Sequence, residues 1–145
     1  MQRKSVIVAA KRTPIGAFQG QFSSLSASDL GSLVIKQILI DAQVKPNLID
    51  EVILGNVLSA GQGQAPARQA TIKSGCPNSV ESLTINKMCG SGLKAVMLAD
   101  QAIRCGDADI IIAGGMESMT NAPYLLQHAR SGQRLGHGQL VDSMI

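Results

Sequence analysis

The residue best placed for chemistry in this sequence is Cys89, in the string Ile85-Asn86-Lys87-Met88-Cys89-Gly90-Ser91-Gly92. A short apolar run ends just before it and a helical pattern begins at it, so the cysteine stands on a strand-to-helix turn. The unpaired amides of a helix's first turn stabilise negative charge, and this favours the thiolate, the nucleophilic form of the side chain. The same amides can hold the oxyanion that forms when a thiolate attacks a carbonyl. Gly90 and Gly92 leave space for an incoming acyl group and let the chain bend sharply. The competing reading is a small buried cysteine where a helix meets a sheet, because unpaired cysteine is among the most buried residue types. The string alone leaves both readings open.

Other chemistries fit less well. The hydrolase elbow G-x-C-x-G would need glycine where Lys87 and Ser91 stand. Gly61-Gln62-Gly63 and Gly114-Gly115 follow apolar runs, but neither completes the G-x-G-x-x-G of a dinucleotide site. Cys76, Cys89 and Cys105 lack the spacing of a zinc site. Cys76 lies past a helix stop and Cys105 near a helix end, where the dipole disfavours a thiolate, so both are read as structural. Met116 and Met119 follow the last strand and are read as core lining, although α/β sheets place their sites at that end. Glu117 could orient an active-site group or be a solvated or structurally paired carboxylate. Lys87, Lys94 and Arg68 are read as surface or subunit-contact residues, and His128 and His137 as surface residues of the tail. No metal site and no cofactor are expected.

The elements that must hold Cys89 alternate along the chain. Four β-branched apolar runs, Ser5 to Ala10, Val52 to Leu58, Leu83 to Asn86 and Asp109 to Ala113, predict strands, three of them continuous enough for burial on both faces. Between them, a capping-box signal from Ser26 to Asp29 opens a helix whose expected inner face is Leu30, Leu33, Val34 and Ile38. A second helix follows Pro66 and stops at Gly75. A third runs from about Cys89 to Arg104, with Leu93, Val96, Met97 and Ile103 inward and Gly106 as terminator. The order βαβαβαβ predicts an α/β fold, a mostly parallel sheet with helices on both faces. From Asn121 to Ile145 no strand or helix is predicted.

A length of 145 residues suits one core rather than two. A hydrophobic fraction of 45% against 16% charged excludes disorder. The net charge of +3 is scattered, with no basic run for nucleic acid. The apolar stretch at the start stops at Lys11-Arg12 and is read as a strand rather than an export signal. No apolar run approaches the roughly 20 residues of a membrane span. A soluble protein without nucleic-acid or membrane partners is expected, and three cysteines, which cannot all pair within the chain, point to the reducing cytoplasm.

Four motifs together resemble those of the thiolases, in the branch of the biosynthetic acetyl-CoA acetyltransferases. They are Lys11-Arg12-Thr13-Pro14-Ile15-Gly16, Gly61-Gln62-Gly63-Gln64-Ala65-Pro66-Ala67-Arg68-Gln69, Asn86-Lys87-Met88-Cys89-Gly90-Ser91-Gly92-Leu93-Lys94 and Gly114-Gly115-Met116-Glu117-Ser118-Met119, in the family's order. The resemblance implies that Cys89 accepts the acyl group of acetyl-CoA, and that a second acetyl-CoA then takes it up to give acetoacetyl-CoA and CoA, with thiolysis in reverse. It also implies a thiolase-like layered fold with strand order 3-2-1-4 for the four runs. A homo-oligomer is implied too, a dimer in which Leu83 to Asn86 pairs with its own copy, with a tetramer possible for the parent enzyme. Residues 1–120 correspond to the nucleophile-bearing amino-terminal α/β domain, and 121–145 to the start of an inserted loop domain, truncated here.

The family's activating histidine in a G-H-P setting, its acid-base cysteine in a C-x-G-G-G setting and its N-E-A-F asparagine are absent from these 145 residues. Gly136-His137-Gly138 matches the first only superficially. The reading is therefore an acyltransferase as part of a longer parent enzyme, with this chain alone inactive. Two rivals stand beside it: a catalytically silent structural or assembly fragment of a split or truncated thiolase, and a relative of the β-ketoacyl synthases.

Overall fold

The computed structural model describes residues 3–145. Its first regular element is helix α1, Ala27–Asp41, opened by the predicted capping box. The Ser26 hydroxyl accepts the Asp29 amide at 3.2 Å and an Asp29 carboxylate oxygen accepts the Ser26 amide at 3.0 Å, so two donors that the helix leaves orphaned are satisfied. Then follow β1 (Glu51–Gly55), α2 (Pro66–Lys73), β2 (Glu81–Ile85), α3 (Ser91–Cys105) and β3 (Ile111–Gly115). Pro66 starts α2, where its missing N–H costs nothing. Gly106 ends α3 with φ of 86°, a left-handed conformation that suits glycine.

β1 lies between β2 and β3, and both ladders are parallel. Side chains alternate across such a sheet. Val52, Leu54 and Ile112 face a core made with Ala27, Ile35 and Leu39 of α1 and Ala67 and Ala70 of α2. On the other face α3 lies over β1 and β3: Gly55 abuts Ser91, and Gly92 abuts Gly114 and Gly115. The predicted α/β class, with helices flanking a parallel sheet, is what the chain forms.

Four expectations are corrected. The run Ser5 to Ala10 forms no strand and joins no sheet, and Val6, Ile7 and Val8 are exposed. The implied order 3-2-1-4 fails, because the second and fourth runs pair directly, Glu51 opposite Ile111 through Gly55 opposite Gly115. That pairing uses the edge of β1 that the first run was to occupy. The first run is fastened by its flanks, Arg3 to Asp109 at 2.5 Å, Ser5 to Asp100 at 2.5 Å and Lys11 to Asp41 at 2.6 Å. A groove of about 510 Å³ separates it from β3.

The helix faces are also rotated from those expected. In α1 the buried positions are Ala27, Gly31, Ile35 and Leu39, with Ser28 and Ser32, while Leu33 is 53% exposed. In α3 they are Ser91, Ala95 and Ala99, while Leu93, Val96 and Met97 are exposed. Small residues win the inner face because they let helix and sheet approach closely; a side chain at Gly31 would strike Met116 and Ala70. Lastly, the tail expected to lack strands forms a hairpin, β4 (Tyr124–Leu126) antiparallel to β5 (Leu140–Asp142).

Candidate active site

The carboxyl ends of β2, β1 and β3 point to one edge of the sheet, where ligands of open α/β folds bind. Cys89 stands there, on the turn between β2 and α3. It is exposed, so the reading of a small buried cysteine does not hold. The helix starts at Ser91, two residues later than expected, with Gly90 as N-cap. Glycine has no side chain to cap the helix, so the amides of Gly92 and Leu93 take no acceptor from the N-cap, while that of Ser91 donates to the Met88 carbonyl at 3.0 Å. They form a partial positive charge of the kind that holds a thiolate or an oxyanion.

The turn is strained and closely held. Met88 adopts φ of 49°, a left-handed conformation that costs a non-glycine residue about 1–3 kcal/mol. Ser91, only 4% exposed, offsets that strain: its hydroxyl accepts the Lys87 amide at 2.8 Å and donates to the Met88 carbonyl at 2.6 Å. The Asn86 side-chain oxygen, Oδ1, accepts the Met88 amide at 3.0 Å. Gly90 and Ser91 amides donate back to Lys87 and Met88 carbonyls at 3.1 and 3.0 Å. Beneath the turn, a Cβ at Gly55 would lie 2.5 Å from that of Ser91, so only glycine lets α3 begin this close to the sheet. Sequence reading gave no role to Asn86, Ser91 or Gly55; Ser91 inside the Cys-Gly-Ser-Gly string was the available signal.

The other residues sort plainly. Cys76 is buried and accepts a hydrogen bond from Ser74 at 3.4 Å, as a structural thiol would. Cys105, the last residue of α3, is exposed at the end of the helix away from Cys89. Met116 is in the core, but Met119 is 56% exposed and does not line it. Glu117 is a structurally paired carboxylate, accepting from the Asn56 side chain at 2.7 Å and from the amides of Val57 and Leu58 at 3.0 and 3.1 Å. Lys87 is exposed. Arg68 is bound within its own chain, its guanidinium donating to the carbonyls of Val80 and Asn78. Its neighbour Gln69 donates to the carbonyls of Gln62 and Gln64 at 2.6 and 2.9 Å, so the motif from Gly61 to Gln69 folds onto itself.

His128 and His137 are both exposed, on the tail. Among the described residues no hydrogen bond joins either to Cys89, and no cluster of three or more His, Cys, Asp or Glu could hold a metal ion. No helix among them is long and apolar enough to cross a membrane. The carboxyl edge of the sheet thus presents the exposed Cys89 thiol just ahead of the first turn of α3.

Comparison with known proteins follows the same lines. The family described as "Thiolase, N-terminal domain" matches residues 5–145. The chain is similar to a "Probable acetyl-CoA acetyltransferase" of Escherichia coli, 58% identical over 140 residues, which cover 97% of this chain and 36% of that protein. It is similar to an "Acetyl-CoA acetyltransferase" of Pseudomonas aeruginosa, 56% identical over the same shares of each. Another "Acetyl-CoA acetyltransferase", from Allochromatium vinosum, is 57% identical over all of this chain and 37% of its own length. The chain spans little more than a third of the length of these relatives.

Proposed function

Since this chain belongs to the thiolase family, as its amino-terminal domain, we propose that it is the nucleophile-bearing part of an acetyl-CoA C-acetyltransferase in which Cys89 carries the acetyl group. The observation that carries the proposal is the exposed Cys89 thiol on a held turn, ahead of the uncapped first turn of α3. In the forward reaction the Cys89 thiolate attacks the thioester carbonyl of acetyl-CoA, and the carbon–sulfur bond to CoA breaks to release CoA. The C2 carbanion of a second acetyl-CoA, formed by loss of a proton to a base, then attacks the acetyl-cysteine. A carbon–carbon bond forms, acetoacetyl-CoA departs and the Cys89 thiolate is restored. Amides at the turn are suited to the oxyanion of the first step.

Among the described residues no acid or base is hydrogen-bonded to the Cys89 thiol, and each positioned acid or base contributes about 10²–10⁴-fold. The 145-residue chain is therefore proposed to take up acetyl groups without turnover, the condensation belonging to a longer parent. Incubation with acetyl-CoA followed by peptide mass analysis tests this. One acetyl group on Cys89, abolished by Cys89→Ala and absent from Cys76 and Cys105, is the expected result. Acetylation spread evenly over the thiols would refute the nucleophile role. Robust thiolysis of acetoacetyl-CoA by this chain would refute its dependence on a parent.

Two further parts of the proposal concern assembly and place. β2 is an edge strand of the sheet, and its free edge invites pairing with another chain. A dimer through Leu83 to Asn86 is proposed, and sedimentation that shows a monomer at every concentration would count against it. The free thiols of Cys76, Cys89 and Cys105 suit the cytoplasm, which is the proposed location.

A further inference from the structure

We propose that Glu117 is a positioning residue for Cys89, acting through the turn that follows β1 and the side chain of Asn86. Three adjacent strands end at the same edge, and each supplies one link. From the end of β3, the half-buried Glu117 carboxylate gathers three donors, the Asn56 amide group and the backbone amides of Val57 and Leu58, and so freezes the chain where it leaves β1. Asn56, 2% exposed, is held further by donating to the Met116 carbonyl and by accepting from Gln62. With those residues fixed, the Val57 carbonyl faces the end of β2 and accepts from the Asn86 side chain at 3.4 Å, the longest link of the series. The other end of that side chain accepts the Met88 amide at 3.0 Å. Met88 is the left-handed residue directly before Cys89.

A left-handed Met88 needs a surrounding structure that over-determines it. Ser91 supplies that from the helix side. Asn86 supplies it from the sheet side, and Asn86 is aimed by a carbonyl whose place Glu117 sets. A carboxylate that does no more than tie β3 to β1 would affect stability alone. One at the head of this series also sets the direction of the Cys89 thiol relative to the amides of α3, and hence its reactivity.

The inference rests on Cys89 being the nucleophile, and the test separates the two. The reaction rate of Cys89 with iodoacetamide is measured by peptide mass analysis, with Cys105, exposed at the opposite end of α3, as the standard within the same molecule. In the unsubstituted chain Cys89 reacts faster than Cys105; equal rates would overturn the nucleophile reading itself. Glu117→Gln and Asn86→Ala should each lower the Cys89-to-Cys105 ratio roughly three- to tenfold, with the Cys105 rate unchanged, as expected for a displaced turn. Because both act through one series, the double variant should fall no further than the more affected single one. A Glu117→Gln chain that is folded with an unchanged ratio, or effects that multiply in the double variant, would overturn the inference. Should Glu117→Gln not fold, Glu117→Asp, which keeps the charge but shortens its reach, takes the same measurement. If neither folds, Glu117 is a residue of the fold and the inference fails.

Discussion

The Ser91 hydroxyl donates to the carbonyl of Met88 at 2.6 Å, so the first residue of α3 clamps the left-handed residue that precedes Cys89. Being almost fully buried, that hydroxyl has no water to replace its protein partners. Ser91→Ala should therefore leave the Lys87 amide without this acceptor and the Met88 carbonyl with the Ser91 amide alone, and destabilise the fold by about 1–3 kcal/mol. Urea unfolding measures the loss, and an unchanged midpoint would show that the clamp is not needed.

Gly55 predicts a steric effect in the same place. A methyl group there would lie 2.5 Å from the Ser91 Cβ and 2.9 Å from the Gly92 nitrogen, so the start of α3 would have to lift from the sheet. Gly55→Ala should cost about 1–3 kcal/mol, the usual penalty of overpacking. It should also slow Cys89 alkylation, since the turn moves with the helix. A variant of full stability and unchanged thiol reactivity would contradict the close approach.

Acid should weaken the start of α1. The Lys73 ammonium, bonded at 2.6 Å, and then the Ser26 cap hold the Asp29 carboxyl down at about 2, against an ordinary 3.8. A carboxylate whose value is lowered by folding adds stability that is complete above the ordinary value and is lost as pH falls through the folded one. Thermal unfolding should show part of the acid loss between pH 3.8 and about 2 disappearing in Asp29→Asn. An identical acid profile in the variant would remove Asp29 as its source.

Glu51 should act in the opposite sense. Burial first, and the facing Glu81 second, raise its carboxyl above the ordinary 4.5. The unfolded chain then ionises more readily than the folded one, so Glu51 subtracts stability as pH rises through 4.5 toward the raised value, and above that value the whole penalty is present. Glu51→Gln should raise the melting temperature at pH 7 and change it little below pH 4.5. A lower melting temperature at pH 7 would show that the negative charge is favourable where it stands.

Much of the site was legible from local sequence because local physics decides it. The Ser26–Asp29 box, Pro66 at a helix start, Gly106 at a helix end and Cys89 between a strand and a helix depend on near neighbours, and each stands within a residue or two of its expected place. The family was legible for the same reason, since its motifs are continuous strings. The phase of the helices was not: an apolar stripe of Leu93, Val96 and Met97 has the right period, but Ala95 and Ala99 take the sheet because close approach rewards small size. Nor could a continuous apolar run such as Ser5 to Ala10 reveal that β3, distant in sequence, takes the place beside β1. The links that hold Cys89 join residues up to 61 positions apart, from Asn56 to Glu117, and only the folded chain brings their donors and acceptors together.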